Sequence, residues 1–286
     1  IGSIANLDAA TLDDVLNFHE TYYRPDNVAL IVVGNFDEKQ LDVWIDQYMG
    51  ALKASAKPIP RVTAVEPART AAKTVTLPAV VITWLGPKAS DPDAPAAQVL
   101  DAILSAGKSS RLYHDLVYDK QVASDVFSSA DLRAQPGLLY LGAIMADGKT
   151  VEDGASLLMD EVTRLRNTAV TQAEIDTAKT QLVAQAVRQR ETINNRAFAL
   201  GYALRIQGDA ARANSDIARL QAVTIADVQA AAKKYLNPNL STTIKYLPES
   251  ARPAGSSDTA APDPVIASVP YTGTVNTLRP EGAREA

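Results

Sequence analysis

The chain has 286 residues, 47% of them hydrophobic, with 28 basic against 33 acidic side chains and a net charge of −5. That length carries one large or two modest domains with a sizeable core, and the mild acidity gives no electrostatic reason to expect a nucleic-acid or anionic-membrane partner. No apolar run approaches the ~20 residues that span a bilayer, and the absence of cysteine rules out disulfides and thiol catalysis.

The chain opens on "IGSIANLDAATLDD", without initiator Met or signal peptide, and reads as the middle of a longer protein. Thr11 is a candidate N-cap, with Asp14 three residues on, for a helix of about three turns that Pro25 stops. The Asp8, Asp13 and Asp14 group is charge that complements the start of that helix. "VALIVVG" then reads as a strand. Residues 37–50 have helical spacing, with Leu41, Trp44, Ile45 and Met49 on one face and Gly50 as terminator. Residues 51–72, rich in Ala, Pro and Lys, form a linker.

"KTVTLPAVVITWLGP" (73–87) reads as an edge-compatible strand because it carries Pro78. A helix over about 94–106 uses Val99, Leu100, Ile103 and Leu104 and ends at Gly107; a short one covers "SSRLYHDLVYDK". Two strands follow, about 121–131 and 136–146, around a turn holding "AQPG". Thr150 caps a helix to about Arg166 with Val151, Ala155, Leu158, Val162 and Leu165 inward, and "TQAE" is a capping box that opens a long helix past Gln189. Helices over about 192–207, 212–222 and 225–236 precede a final strand. Strands followed by runs of helices predict an α+β fold, a mixed or antiparallel sheet with helices packed on one face. From residue 249 to 286 the Pro, Ala, Ser and Gly content predicts a flexible tail or an inter-half linker, with a surface-hugging arm as the rival.

The chain repeats its own beginning. "LDAATLDDVLNFHETYYRPDNVALIVVG" (7–34) and "LQAVTIADVQAAAKKYLNPNLSTTIKYL" (220–247) register without a gap, so that Thr11 faces Thr224, Asp14 faces Asp227, Tyr22 faces Tyr235 and Pro25 faces Pro238. Cap, breaker and strand fall in step, which argues for two homologous units of about 210 residues, the first represented only by its end. The expected organisation is a remnant of a first, zinc-type domain at 1–50, the linker 51–72, a complete second, metal-free domain at 73–248, and the tail.

No residue set predicts metal binding. A helical H-E-x-x-H site starting at His19 would need an imidazole where Tyr23 stands, and the reversed H-x-x-E-H form would need Glu and His in place of Tyr22 and Tyr23. The only other histidine is His114. A catalytic zinc takes three protein ligands; no second ligand is near His19 in sequence, and His114, among Arg111, Asp115 and Asp119, reads as an ordinary helix-surface residue. "GNFD" and "AGKSS" are turns, not phosphate loops.

Four segments, "IGSIANLDAATLDDVLNFHETYYRPDNVALIVVGNFD", "AGKSSRLYHDLVYDKQVASDV", "TQAEIDTAKTQL" and "VTIADVQAAAKKYLNP", resemble the pitrilysin/insulysin family of inverzincin peptidases, including mitochondrial processing peptidase and its bacterial relatives. The resemblance implies the mitochondrial processing peptidase/LuxS-like metallohydrolase fold, with two homologous domains per half and two halves closing over a peptide. It implies zinc in a missing upstream domain or a partner half, no cofactor and no catalytic residue in this chain, and as partners a peptide or unfolded protein and a homologous, zinc-bearing half-molecule. The family's substrate-gripping arginine and tyrosine, seven residues apart, fall by register on Val117 and Ser124, so the pair is missing; Arg111 and Tyr118 have the spacing in a shifted register and are the candidate substrate-binding residues. The implied function is the non-zinc domain of a metallopeptidase, inactive alone, in the bacterial periplasm or cytoplasm. The alternative is a non-catalytic structural subunit or peptide-binding scaffold of the same fold.

Overall fold

The structure, a computed structural model, describes residues 4–60, 78–248 and 267–273. The described residues divide into two units, one holding 4–30, 35–60 and 267–273, the other 31–34 and 78–248.

The first unit is helical. A short helix α1 (Ile4–Ala9), which the sequence did not announce, precedes α2 (Leu12–Tyr22). Thr11 accepts from Asp14 N while the Asp14 carboxylate takes the Thr11 N–H at 2.8 Å, a reciprocal capping box. Helix α3 (Glu38–Met49) is capped by Asp37, which accepts from Gln40 N; none of its residues is fully buried, and of the expected inner face Trp44 is 50% exposed. Between the helices, Arg24 is buried and clasps the 55–57 loop: Nη1 donates to Lys57 O (2.6 Å) and Nη2 to Ser55 O (2.8 Å), with Asp26 balancing the charge. Residues 267–273 lie along α2, where Ser268 Oγ donates to Asp14 Oδ1 (2.9 Å) and Asn17 Nδ2 to Val269 O (2.6 Å). The rest of the expected tail, and residues 61–72 of the expected linker, lie outside the described residues.

The predicted strand over "VALIVVG" is not one: residues 28–33 pair with no other strand among the described residues. The apolar alternation is present, but a strand exists only when a neighbour takes its main-chain hydrogen bonds.

The second unit is built on a four-stranded antiparallel sheet of order β2-β3-β1-β4, where β1 is Ala79–Leu85, β2 Ala123–Asp131, β3 Leu138–Met145 and β4 Thr242–Tyr246. This corrects the edge assignment of the first strand, since β1 is internal and pairs with β3 and β4. Pro78 sits just before the ladder, so its missing N–H costs no strand bond, while its carbonyl accepts from Met145 N at 2.8 Å. Residues 73–77 of the expected strand lie outside the described residues.

One face of the sheet is covered. Val80, Ile82 and Trp84 of β1, and Leu139, Leu141 and Ala143 of β3, are buried under helices α4 (Ala94–Ser105) and α5 (Val151–Asn167). Helix α4 is apolar on nearly every side and is sandwiched between the sheet and the later helices α6 (Gln172–Arg188), α8 (Arg212–Ala222) and α9 (Ile225–Tyr235); α7 (Ile193–Gln207) packs on α8. The Trp84 indole N–H is satisfied by Asn237 O at 2.9 Å. Gly142 on β3 is required by closeness: a Cβ there would lie 2.8 Å from Val80 O and 2.5 Å from the Phe127 ring. The opposite sheet face is only half covered, leaving Leu85 71% and Ile244 40% exposed. Capping boxes open α5 (Thr150–Asp153), α6 (Thr171–Glu174) and α9 (Thr224–Asp227) as the sequence predicts. Helix α9 matches α2 in length, cap geometry and terminal tyrosine, the structural form of the repeat.

Candidate functional site

The segment from Ser109 to Ser124 carries the predicted substrate-binding residues. Its short helix winds, over Tyr113–Asp119, as a π-helix, in which Lys120 N reaches back five residues to Asp115 O at 3.0 Å. Such wide turns are rare and gather at functional positions. The segment returns to β2 through Gln121, the one non-glycine residue with positive φ (51°) among the described residues.

Arg111 is turned inward. Its Nε and Nη2 form a fork on the Glu174 carboxylate (2.5 and 3.1 Å), and Nη1 donates to Glu161 Oε1 at 3.0 Å. Glu161 has no solvent exposure and meets a second cation, Arg164 Nη1, 2.7 Å from its Oε2 in an ion pair without hydrogen-bond geometry. Two guanidinium groups and two carboxylates thus neutralise one another across the π-helix, α5 and α6. Arg111 holds the Glu174 carboxyl down to about 2, against the burial that opposes it and with help from the Thr171 amide and hydroxyl. Burial works against the Arg111 charge, and the hydrogen bonds that it donates to Glu174 and Glu161 outweigh it, so its pKa is raised.

Tyr118 points to solvent, 69% exposed, with its ring 5.5 Å from that of His114. No hydrogen bond or ring contact joins it to Arg111 among the described residues. At the register positions, Val117 packs against the core, and Ser124 stands in a bulge of β2, its hydroxyl donating to Ile144 O at 3.3 Å. Glu161 was missed in the sequence, although it falls on the inward stripe between Leu158 and Leu165; Glu174 was visible only as a cap.

The residues do not fit zinc. His19 is exposed and stacks on Tyr23 (5.0 Å between centroids), and His114 Nδ1 lies 2.9 Å from Asp119 Oδ2 with no third donor. Among the described residues no group of three or more His, Asp or Glu side chains could hold a metal ion. No helix there is long and apolar enough to cross a membrane.

Fold and site together define an α+β domain whose described residues include no metal-binding set. Residues 9–182 match the family described as the Peptidase M16 inactive domain. Among curated proteins the chain is similar to zinc protease PqqE of Helicobacter pylori, 26% identical over 259 residues that cover 87% of this chain and 57% of the relative. It is similar too to an uncharacterized zinc protease of Mycobacterium leprae, 24% identical over 251 residues covering 85% and 56%. A solved structure of a Helicobacter pylori protease superposes with a TM-score of 0.76 at 25% identity, covering 86% of this chain and 62% of that one. A Peptidase M16 inactive domain from Pseudomonas fluorescens, at 21% identity, shares the fold with a TM-score of 0.71, covering 86% and 60%. The chain belongs to the Peptidase M16 inactive-domain family, and it spans somewhat over half the length of the curated relatives it matches.

Proposed function

We propose that this chain is the wall-forming, metal-free part of an M16 zinc peptidase: it shapes the chamber, contacts the peptide and docks on a zinc-bearing homologous half, where hydrolysis takes place. The observation that carries this reading is the match to the inactive domain of that family over 9–182, in a chain whose relatives are named zinc proteases. The half-covered sheet face and the exposed Tyr118 supply surface for those contacts, whereas Arg111 would have to break three hydrogen bonds to reach a substrate. Its role here is to position the segment that carries Tyr118.

The test is to purify the chain, assay zinc content and cleavage of a quenched fluorescent peptide, then add a zinc-bearing M16 half. The chain alone is expected to hold no stoichiometric zinc and to turn nothing over, and to raise the turnover of the added half. Stoichiometric zinc with cleavage by the chain alone overturns the proposal.

The second reading, a non-catalytic structural subunit or peptide-binding scaffold, is favoured by Val117 and Ser124, which give neither charge nor phenol where the family resemblance places its gripping pair. Association with the zinc-bearing half without any gain in turnover distinguishes it.

A further inference from the structure

On the second unit, away from the Arg111 network, α6, α7, α8 and the start of α4 enclose a cavity of about 520 Å³, within the range of ligand sites. Its walls are tied together: the Tyr202 hydroxyl donates to Leu132 O (3.2 Å), Arg212 Nη1 to Ser90 O (3.0 Å) and Arg219 Nη2 to Asp91 O (3.3 Å). The charged side chains lining it are Arg190, Arg219 and Asp216, a cationic excess in a protein of net charge −5. The one carboxylate pairs with one of the two cations, Asp216 Oδ1 lying 3.7 Å from Arg219 Nη1, which leaves Arg190, in no ion pair among the described residues, as the uncompensated charge.

One further feature shows what the cavity lacks. Phe198 lines it at 70% exposure, an aromatic face with nothing on it. An anion and a bulky apolar group are wanted together.

We propose that this cavity is a docking pocket for a peptide segment in which an acidic side chain neighbours a large apolar one: the carboxylate meets Arg190 and the apolar group covers Phe198. The choice of a peptide as occupant rests on the peptide-handling function proposed above.

The test titrates the full chain into fluorescein-labelled Gly/Ser decapeptides carrying a central Phe-Asp or Phe-Asn, followed by anisotropy. Saturable binding is expected, about tenfold tighter for the Phe-Asp peptide. Arg190→Gln is expected to remove that tenfold difference with an unchanged melting curve, and Phe198→Ala to weaken both peptides. Equal binding of the two peptides, no saturable binding by folded wild type, or an Arg190→Gln variant that discriminates as before overturns the pocket. Failure to stimulate a zinc-bearing half while acidic-peptide binding persists strikes the chamber-wall function alone.

Discussion

Arg111 shows what a single side chain decides here. Replacing it by Met leaves the Glu161 carboxylate buried and short of its hydrogen-bonded cation, a change expected to cost about 3 kcal/mol in urea unfolding. The pH dependence follows from Glu174. Its carboxyl is held at about 2 in the fold against an ordinary 4.5, so its contribution to stability is present above about pH 5 and is lost as pH falls toward 2. The stability gap between wild type and Glu174→Gln, measured by unfolding at stepped pH, should be level at neutral pH and close across that acid window. Gln121 is the opposite case, a side chain in a left-handed conformation that costs L-residues about 1–2 kcal/mol. Gln121→Gly should melt at or above the wild-type temperature, the relief being partly offset by the freer unfolded chain, and Gln121→Val should melt below it.

At the scale of elements, the capping boxes are the clearest case of structure written locally. Thr11, Thr150, Thr171 and Thr224 each stand three residues before an acid, and each closes the same reciprocal pair of hydrogen bonds. Thr224→Ala should lower unfolding free energy by about 1 kcal/mol. These were legible because both partners lie within one turn. Three other elements were not. Centrality of β1 depends on β4, more than a hundred and fifty residues away, and Pro78 misled because its position just outside the ladder cannot be read from composition. The π-turns of 113–119 share apolar spacing with an α-helix over so short a run. Residues 28–33 have a strand's pattern and no partner strand among the described residues.

For the whole molecule, the covered and half-covered faces of one sheet contribute unequally to stability. The covered face holds Val80, Ile82 and Trp84 beneath α4 and α5, and the fold depends on it. Gly142 faces the other way, in register with Val81 and Phe127, and is constrained by closeness instead: Gly142→Ala, which drives a methyl into Val80 O and Phe127, should cost about 1–3 kcal/mol. That other face also carries Leu85 and Ile244, 71% and 40% exposed, which contribute less to folding than the buried side chains because part of their surface stays in water. The Leu85→Lys, Ile244→Lys pair should therefore melt close to wild type. If this face contacts the zinc-bearing half, the same pair should abolish stimulation of its peptidase activity.

The sequence by itself determined the starts of the capped helices, the α+β class and the internal repeat, all of which depend on residue type and short spacing. Tertiary structure alone decided the strand order, the inward turn of Arg111 onto Glu161 and Glu174, and the cavity between α4, α6, α7 and α8. The β1–β3 and β1–β4 pairings and the Arg111 ion pairs join residues fifty or more positions apart, and no local pattern specifies which distant side chains will meet once the apolar faces are buried.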